Sequence, residues 1–398
     1  MKRFLRYIFV CVIITLFLGV IEGCGTEALN GASSDAENVE TMQKQIEDNH
    51  SDDGYIVVGI SMPDKLLERW NRDGAFLEKE FKKNGYEVIL SYAGNLIDRQ
   101  ISDIRKMIEK KADLIVISPI DSAALTSVLE EAAKANVKII AYDRLIMDTD
   151  VVDYYVSFDN YMVGELQADY IIEALDLDNS LSPKTIEIVA GDPVDNNARY
   201  FYSGAMDRLE PYFDSGKLTI KSGQKGFYET ATGTWSTEIA QQRVQIIINS
   251  YYKTEMLDAI LCANDSTALG AVNALKSDYS FDNKVVVTGQ DADMANVYNI
   301  LSGDQSMTVF KTLQNETIVT VDLAEAVLEG KEPDADFIES ANWSFDCKYD
   351  TTSYNNGKKD VTSFLLIPIT VDKENIQEEL FDTGFYTYNS GGLIVPGE

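Results

Sequence analysis

The chain has 398 residues, 45% hydrophobic and 25% charged, a globular profile too long for one compact core, so two domains are expected. Lysine and arginine number 34 against 65 aspartates and glutamates, and the formal net charge of -31 argues against a nucleic-acid partner. The single histidine, His50, lies in a polar stretch near the start. The folded body therefore lacks the imidazole that Ser-His-Asp and Cys-His catalysis and histidine-ligated metal sites require. Neither G-x-x-x-x-G-K nor G-x-G-x-x-G occurs, so the common phosphate-cradling loops are missing too.

In chain order, Lys2, Arg3 and Arg6 precede an apolar run from Ile8 to Ile21, which suits a signal-peptide core better than a membrane span. The run ends Ile21-Glu22-Gly23-Cys24, which resembles a bacterial lipobox and implies cleavage after residue 23 and lipidation of Cys24. Residues 24–54 are acidic and rich in Ser, Asn and Ala, and read as a flexible tether on that anchor. Cys262 and Cys347 are left either to pair or to remain thiols.

From Tyr55, short β-branched runs alternate with amphipathic stretches. The runs are Ile56-Ile60, Val88-Ser91, Leu114-Ser118 and Val137-Tyr142, and Leu125, Val128, Leu129, Ala132 and Ala133 between them mark one apolar helix face. The rhythm restarts at Ile186-Ala190, Leu218-Lys221, Ala259-Ala263 and Val285-Thr288. Apolar strands joined by helices predict an α/β fold of two lobes, each a parallel sheet covered on both sides. In such sheets ligands bind beyond the carboxyl ends of the strands.

Those ends carry Lys65, Arg69 and Trp70 after the first run and Asp143-Arg144 after the fourth. In the second half they carry Asp195-Asn196-Asn197, Asn264-Asp265 and Asp291. Carboxylates and amides that accept protons, cations and amides that donate them, and an indole for an apolar C–H face together suit a neutral polyol. Each has a plainer use: Asn264 and Asp291 as helix caps, Asp143-Arg144 as an ion pair, Trp70 and Trp235 as packing, Lys65 as a solvated side chain. A glycoside hydrolase with Asp143 and Asp291 as its paired carboxylates is an alternative, although neither lies in a recognisable hydrolase motif.

Glu68-Arg69-Trp70, Ala141-Tyr142-Asp143-Arg144-Leu145-Ile146, Ser157-Phe158-Asp159-Asn160 and Pro193-Val194-Asp195-Asn196-Asn197-Ala198 carry a resemblance, with Ser222-Gly223-Gln224, Gly289-Gln290-Asp291-Ala292 and Thr308-Val309-Phe310-Lys311. The chain resembles the type I periplasmic sugar-binding proteins of ABC importers, in the xylose- and multiple-monosaccharide-binding branch, over roughly residues 55–388. The resemblance implies two Rossmann-like lobes joined by a three-crossover hinge, residues 55–158 plus 312–362 in the first and 159–311 plus 363–390 in the second. It implies sugar contacts from Arg69, Trp70, Asp143, Arg144, Asn196 or Asn197, Trp235, Asn264, Asp291 and Lys311; Arg199 matches a ligand position of ribose- and galactose-binding relatives. It implies no enzymatic step and no cofactor; the absence of a D-x-[DN]-x-[DN]-G-x5-E calcium loop adds the expectation of no metal. The partners implied are a monosaccharide such as xylose, glucose, galactose or arabinose and an ABC permease, with a chemoreceptor or sensor kinase as the alternative. The protein is then a monomer held outside the cytoplasm on the cell membrane or in the periplasm.

Overall fold

The computed structural model describes residues 55–65 and 67–397. The signal and tether expected over 1–54, Cys24 among them, lie outside the described residues. No helix among the described residues is long and apolar enough to cross a membrane.

The first lobe is a seven-stranded sheet. Its first five strands are β1 (Val57–Met62), β2 (Glu87–Tyr92), β3 (Leu114–Ile117), β4 (Lys138–Tyr142) and β5 (Tyr154–Phe158). Helices α1 (Glu68–Lys83), α2 (Ile97–Glu109) and α3 (Thr126–Lys134) connect the first four. Alternate residues of each strand serve two cores, as a two-sided sheet demands. Ile115, Ile139 and Tyr155 face Ile104 of α2 and Leu129 of α3, while Ile60, Val116 and Ile140 face Leu77 and Phe81 of α1. Val128, Leu129 and Ala132 of the expected apolar face are buried, and Ala133 turns to solvent.

The second lobe begins with α4 (Asn160–Ala174) and builds a four-stranded sheet from β6 (Lys184–Val189), β7 (Leu218–Thr219), β8 (Ala259–Cys262) and β9 (Val286–Val287), in the order β7-β6-β8-β9. Helix α5 (Asn196–Asp214) shares one face of that sheet with α4; α6 (Thr237–Tyr251) and α7 (Asp265–Asp278) cover the other. Then come α8 (Met294–Ser302) and β10 (Met307–Phe310), and Gln290 bridges Val309 to continue the sheet.

The chain returns to the first lobe through α9 (Leu313–Leu328), which packs its Val319 and Leu323 in the same core as α1, and α10 (Ala335–Ala341). The strands β11 (Cys347–Asp350) and β12 (Ser363–Leu366) complete the first sheet, whose order is β11-β12-β5-β4-β3-β1-β2. This corrects the expected boundary at 363. The apolar run Phe364-Leu365-Leu366 is buried between β5 and β11, so the chain leaves the first lobe only after Leu366. It re-enters the second lobe at β13 (Ile369–Asp372), antiparallel to β10, and ends in a hairpin of β14 (Tyr386–Tyr388) and β15 (Ile394–Pro396), past the expected end at 390. The lobes are thus joined by three crossings, after β5, β10 and β12. Cys262 in β8 and Cys347 in β11 are free thiols on different lobes.

Candidate functional site

The carboxyl ends of β1, β4, β6, β8 and β9 and the crossing after β10 converge on one cleft between the lobes. Its walls are Leu67, Arg69, Trp70, Asp143, Arg144, Asp195, Asn197, Phe201, Trp235, Asn264, Gln290, Asp291 and Lys311. They enclose about 320 Å³ of atom-free space, part of it open to solvent, at the small end of the range for ligand pockets.

Arg69, in the first turn of α1, is buried and forms the hub of the charged network. Its guanidinium reaches Asp73 at 3.0 Å, Asp143 at 2.8 Å, Glu316 at 3.1 Å and, across the cleft, Asp291 at 3.5 Å. Lys311, on the crossing after β10, completes the link, 3.3 Å from Asp143 and 3.6 Å from Asp291. Arg144 of the first lobe lies 2.8 Å from Asp195 of the second. The groups available to hold a ligand also hold the two lobes to each other.

Protonation follows from this arrangement. Burial opposes the charge on Arg69, but Asp143, Asp73, Glu316 and Asp291 outweigh it and hold the guanidinium well above its ordinary pKa. Burial works against the Asp143 carboxylate as well, yet Arg69, Lys311 and Arg144 keep its pKa below the usual range. Glu316 goes the other way: burial, reinforced by Asp143, raises its pKa well above the ordinary value, against Arg69. Asp195 is raised by burial despite Arg144. Three cations, Arg69, Arg144 and Lys311, thus face Asp143, whose ionised form they favour, and the Asp291 carboxyl across the cleft, while burial raises the pKa values of Glu316 and Asp195 beside them. Such a site suits an uncharged ligand with many hydroxyls. A carboxylate held ionised, like Asp143, is also the opposite of a general acid.

Backbone geometry marks the same residues. Asp143, Trp235 and Asp291 all adopt left-handed φ angles, 58°, 55° and 103°. Such conformations cost of order 1–3 kcal/mol each in non-glycine residues and concentrate at functional sites. The Asp143 carbonyl is fixed by three donors, the Tyr155 hydroxyl at 2.7 Å, the Ser157 hydroxyl at 2.8 Å and the Asn197 amide at 2.8 Å. Asn197 belongs to the second lobe, so this bond spans the cleft as well.

The two indoles come from opposite lobes. The cations of Arg69 and Arg144 lie 4.8 and 5.0 Å from the Trp70 ring centroid. The benzo edge of Trp235 sits where a side chain on Gly191 would be: a Cβ there would meet Cη2 at 2.0 Å. Trp70 Nε1, Trp235 Nε1 and Gln290 Oε1, all buried polar atoms of cleft residues, have no hydrogen-bond partner. An unmet buried donor or acceptor costs about 1–3 kcal/mol, which a ligand hydroxyl at the cleft would recover.

Nine of the eleven anticipated residues line the cleft: Arg69, Trp70, Asp143, Arg144, Asn197, Trp235, Asn264, Asp291 and Lys311. Asn264 lines the cleft and also serves its plainer anticipated use, since its side chain accepts the Thr267 N–H and caps α7. Two residues are not brought to it. Lys65 is exposed, its ammonium 4.5 Å over the Tyr92 ring. Asn196 begins α5 beside Asn197, but consecutive helical positions point about 100° apart and only Asn197 meets the cleft. Arg199 is exposed against Phe227 and Tyr228. Leu67, Asp195, Phe201 and Gln290 are additions. Phe201 follows Asn197 by four positions on one helix face, a signal present in the sequence. Among the described residues no cluster of His, Cys, Asp and Glu is arranged to hold a metal ion.

Residues 57–332 match the family model described as periplasmic binding protein domain. The chain belongs to the periplasmic binding protein family. It is 41% identical over 83% of its length to the multiple sugar-binding periplasmic protein SbpA of Azospirillum brasilense, covering 89% of that protein. It is 35% identical over 83% of its length to the D-xylose-binding periplasmic protein of Escherichia coli, covering 91% of that one. A solute-binding protein of an ABC transporter from Clostridium phytofermentans, solved with bound β-D-glucose, superposes with a TM-score of 0.78 at 47% identity, covering 83% of this chain and 98% of that structure. These relatives are binding proteins and not enzymes, which answers the hydrolase alternative.

Proposed function

We propose that this periplasmic binding protein is the extracytoplasmic receptor of an ABC sugar importer, taking one neutral aldose such as glucose or xylose between its lobes. The observation that carries the reading is the charge-balanced network of Arg69, Lys311, Asp143 and Asp291, flanked by Trp70 and Trp235 from opposite lobes. In this reading Asp143 and Asp291 accept hydroxyl protons, Arg69, Lys311, Arg144 and Asn197 donate to sugar oxygens, and the indoles cover the C–H faces. The relatives, a multiple sugar-binding protein, a D-xylose-binding protein and a solute-binding protein solved with β-D-glucose, support the same ligand class.

Closure follows from linkage. A sugar that touches both lobes binds the closed arrangement better than the open one and stabilises it by that difference. The closed pair of lobes then forms the surface offered to a permease. Lipidation at Cys24 would keep the protein beside that permease, with residues 25–54 as the leash.

Calorimetry on the chain from residue 25 onward, titrated with D-glucose, D-xylose, D-galactose, L-arabinose and D-ribose, tests the reading. Micromolar or tighter binding of one or more aldoses without turnover supports it. No binding across the panel, or sustained product release, contradicts it.

A further inference from the structure

A second and larger cavity adjoins the cleft. It contains about 1110 Å³ of atom-free space, in part open to solvent, and shares Leu67 and Trp235 with the first as walls. Glu68 and Asn95 of the first lobe and Thr237, Glu238, Ser266 and Asp293 of the second line it. No lysine or arginine is among its lining residues.

The inner cleft is at the small end of the pocket range, whereas the outer chamber offers more than three times its atom-free space. Its lining of hydroxyls, amides and carboxylates is of the kind that accepts from and donates to a neutral polyol. The Glu68 and Glu238 carboxylates repel an anionic group such as a uronate or a phosphate. At the junction stands Trp235, only 6% exposed, and its Nε1–H has no hydrogen-bond partner. A buried indole donor left unmet where the two spaces share a wall calls for a ligand acceptor there, and a glycosidic or hydroxyl oxygen supplies one.

We propose that the outer chamber is a second sugar subsite, so that the protein accepts neutral disaccharides, with one ring in the inner cleft and the next in the chamber. The proposal rests on the sugar-binding reading of the inner cleft. It assigns to the chamber a neutral pyranose and excludes phosphorylated or acidic extensions.

The test is calorimetry with D-glucose, D-xylose, cellobiose, maltose and glucose 6-phosphate on the wild-type chain and on Ala295→Trp. Ala295 is exposed in the first turn of α8 and lines the chamber but not the cleft. The wild type should bind cellobiose or maltose within about ten-fold of a monosaccharide and reject glucose 6-phosphate. Ala295→Trp should weaken the disaccharide by more than about ten-fold and leave glucose and xylose within about two-fold. Monosaccharide binding with no disaccharide binding overturns the subsite and spares the sugar reading. Binding of neither class overturns both. Disaccharide binding that Ala295→Trp leaves unchanged shows that the second ring lies elsewhere and overturns the assignment.

Discussion

Asp143→Asn removes one charge from the centre of the cleft and little else. The backbone at 143 is left-handed, φ 58°, a region that Asn adopts as readily as Asp, whereas Ala would add strain of its own. The amide keeps the volume and one acceptor oxygen but no longer balances Arg69 at 2.8 Å and Lys311 at 3.3 Å. Arg69 retains Asp73, Glu316 and Asp291, so the fold keeps most of its support; Lys311 keeps Asp291, at 3.6 Å, as its one acidic partner within 4 Å among the described residues. A sugar hydroxyl that donated to the carboxylate loses a charge-assisted bond, worth about 1.5–3 kcal/mol in a buried setting. At 1.4 kcal/mol per decade this weakens binding about ten- to hundred-fold. Calorimetry with D-glucose measures the loss, and a thermal melt separates it from unfolding. A Kd within about two-fold of wild type, beside a lowered melting midpoint, would refute the reasoning and make Asp143 a residue of the fold alone.

Gly191→Ala places a Cβ 2.0 Å from Trp235 Cη2, so the indole must shift; overpacking of this kind costs about 1–3 kcal/mol, and sugar affinity should fall in calorimetry although 191 is not a wall of the cleft. Burial, with Asp143 adding to it, raises the Glu316 pKa well above the usual carboxylate range against Arg69, so Glu316→Gln should cost less affinity and less melting midpoint at pH 7 than Asp143→Asn, and a larger loss than that variant shows would contradict the assignment. Burial, with Asp291 and Glu68 adding to it against Arg72 and Arg69, pushes Asp293 up to about 8. A raised carboxyl contributes stability that is complete below its unfolded pKa, about 4, and is lost as pH rises through 8. Asp293→Asn should therefore match wild type least at pH 8, where it melts higher, and lose that advantage toward pH 4; melting curves across that range check it. Asp143 has the reverse sign, its lowered pKa giving stability that is present above about 4 and lost as pH falls below it.

The parallel strands and their ends were legible because a two-sided sheet imposes continuous apolar runs, and β1 to β4 and β6, β8 and β9 fall on runs read directly from the sequence. The strands β5, β10 and β12 are short and stand at the crossings, where nothing local tells which sheet each joins; hence the shift of the third crossing beyond residue 363. Polar residues just past a strand were informative because the topology forces them into one cleft, which collected Asp143, Asn197, Asn264 and Asp291. The same rule overreached at Lys65, whose loop turns it to solvent over Tyr92. Asp73 and Glu316 were missed for a different reason. A charged residue in a helix normally reads as solvated, and only the packing of α9 against α1 makes Asp73 of α1 and Glu316 of α9 the buried partners of Arg69.

The most direct test of the central claim is a crystal structure grown with D-glucose. One pyranose is expected between Trp70 and Trp235, within hydrogen-bond distance of Asp143, Asp291, Arg69 and Lys311, with both lobes in contact with it. Glucose bound to one lobe alone, or outside these residues, would contradict it.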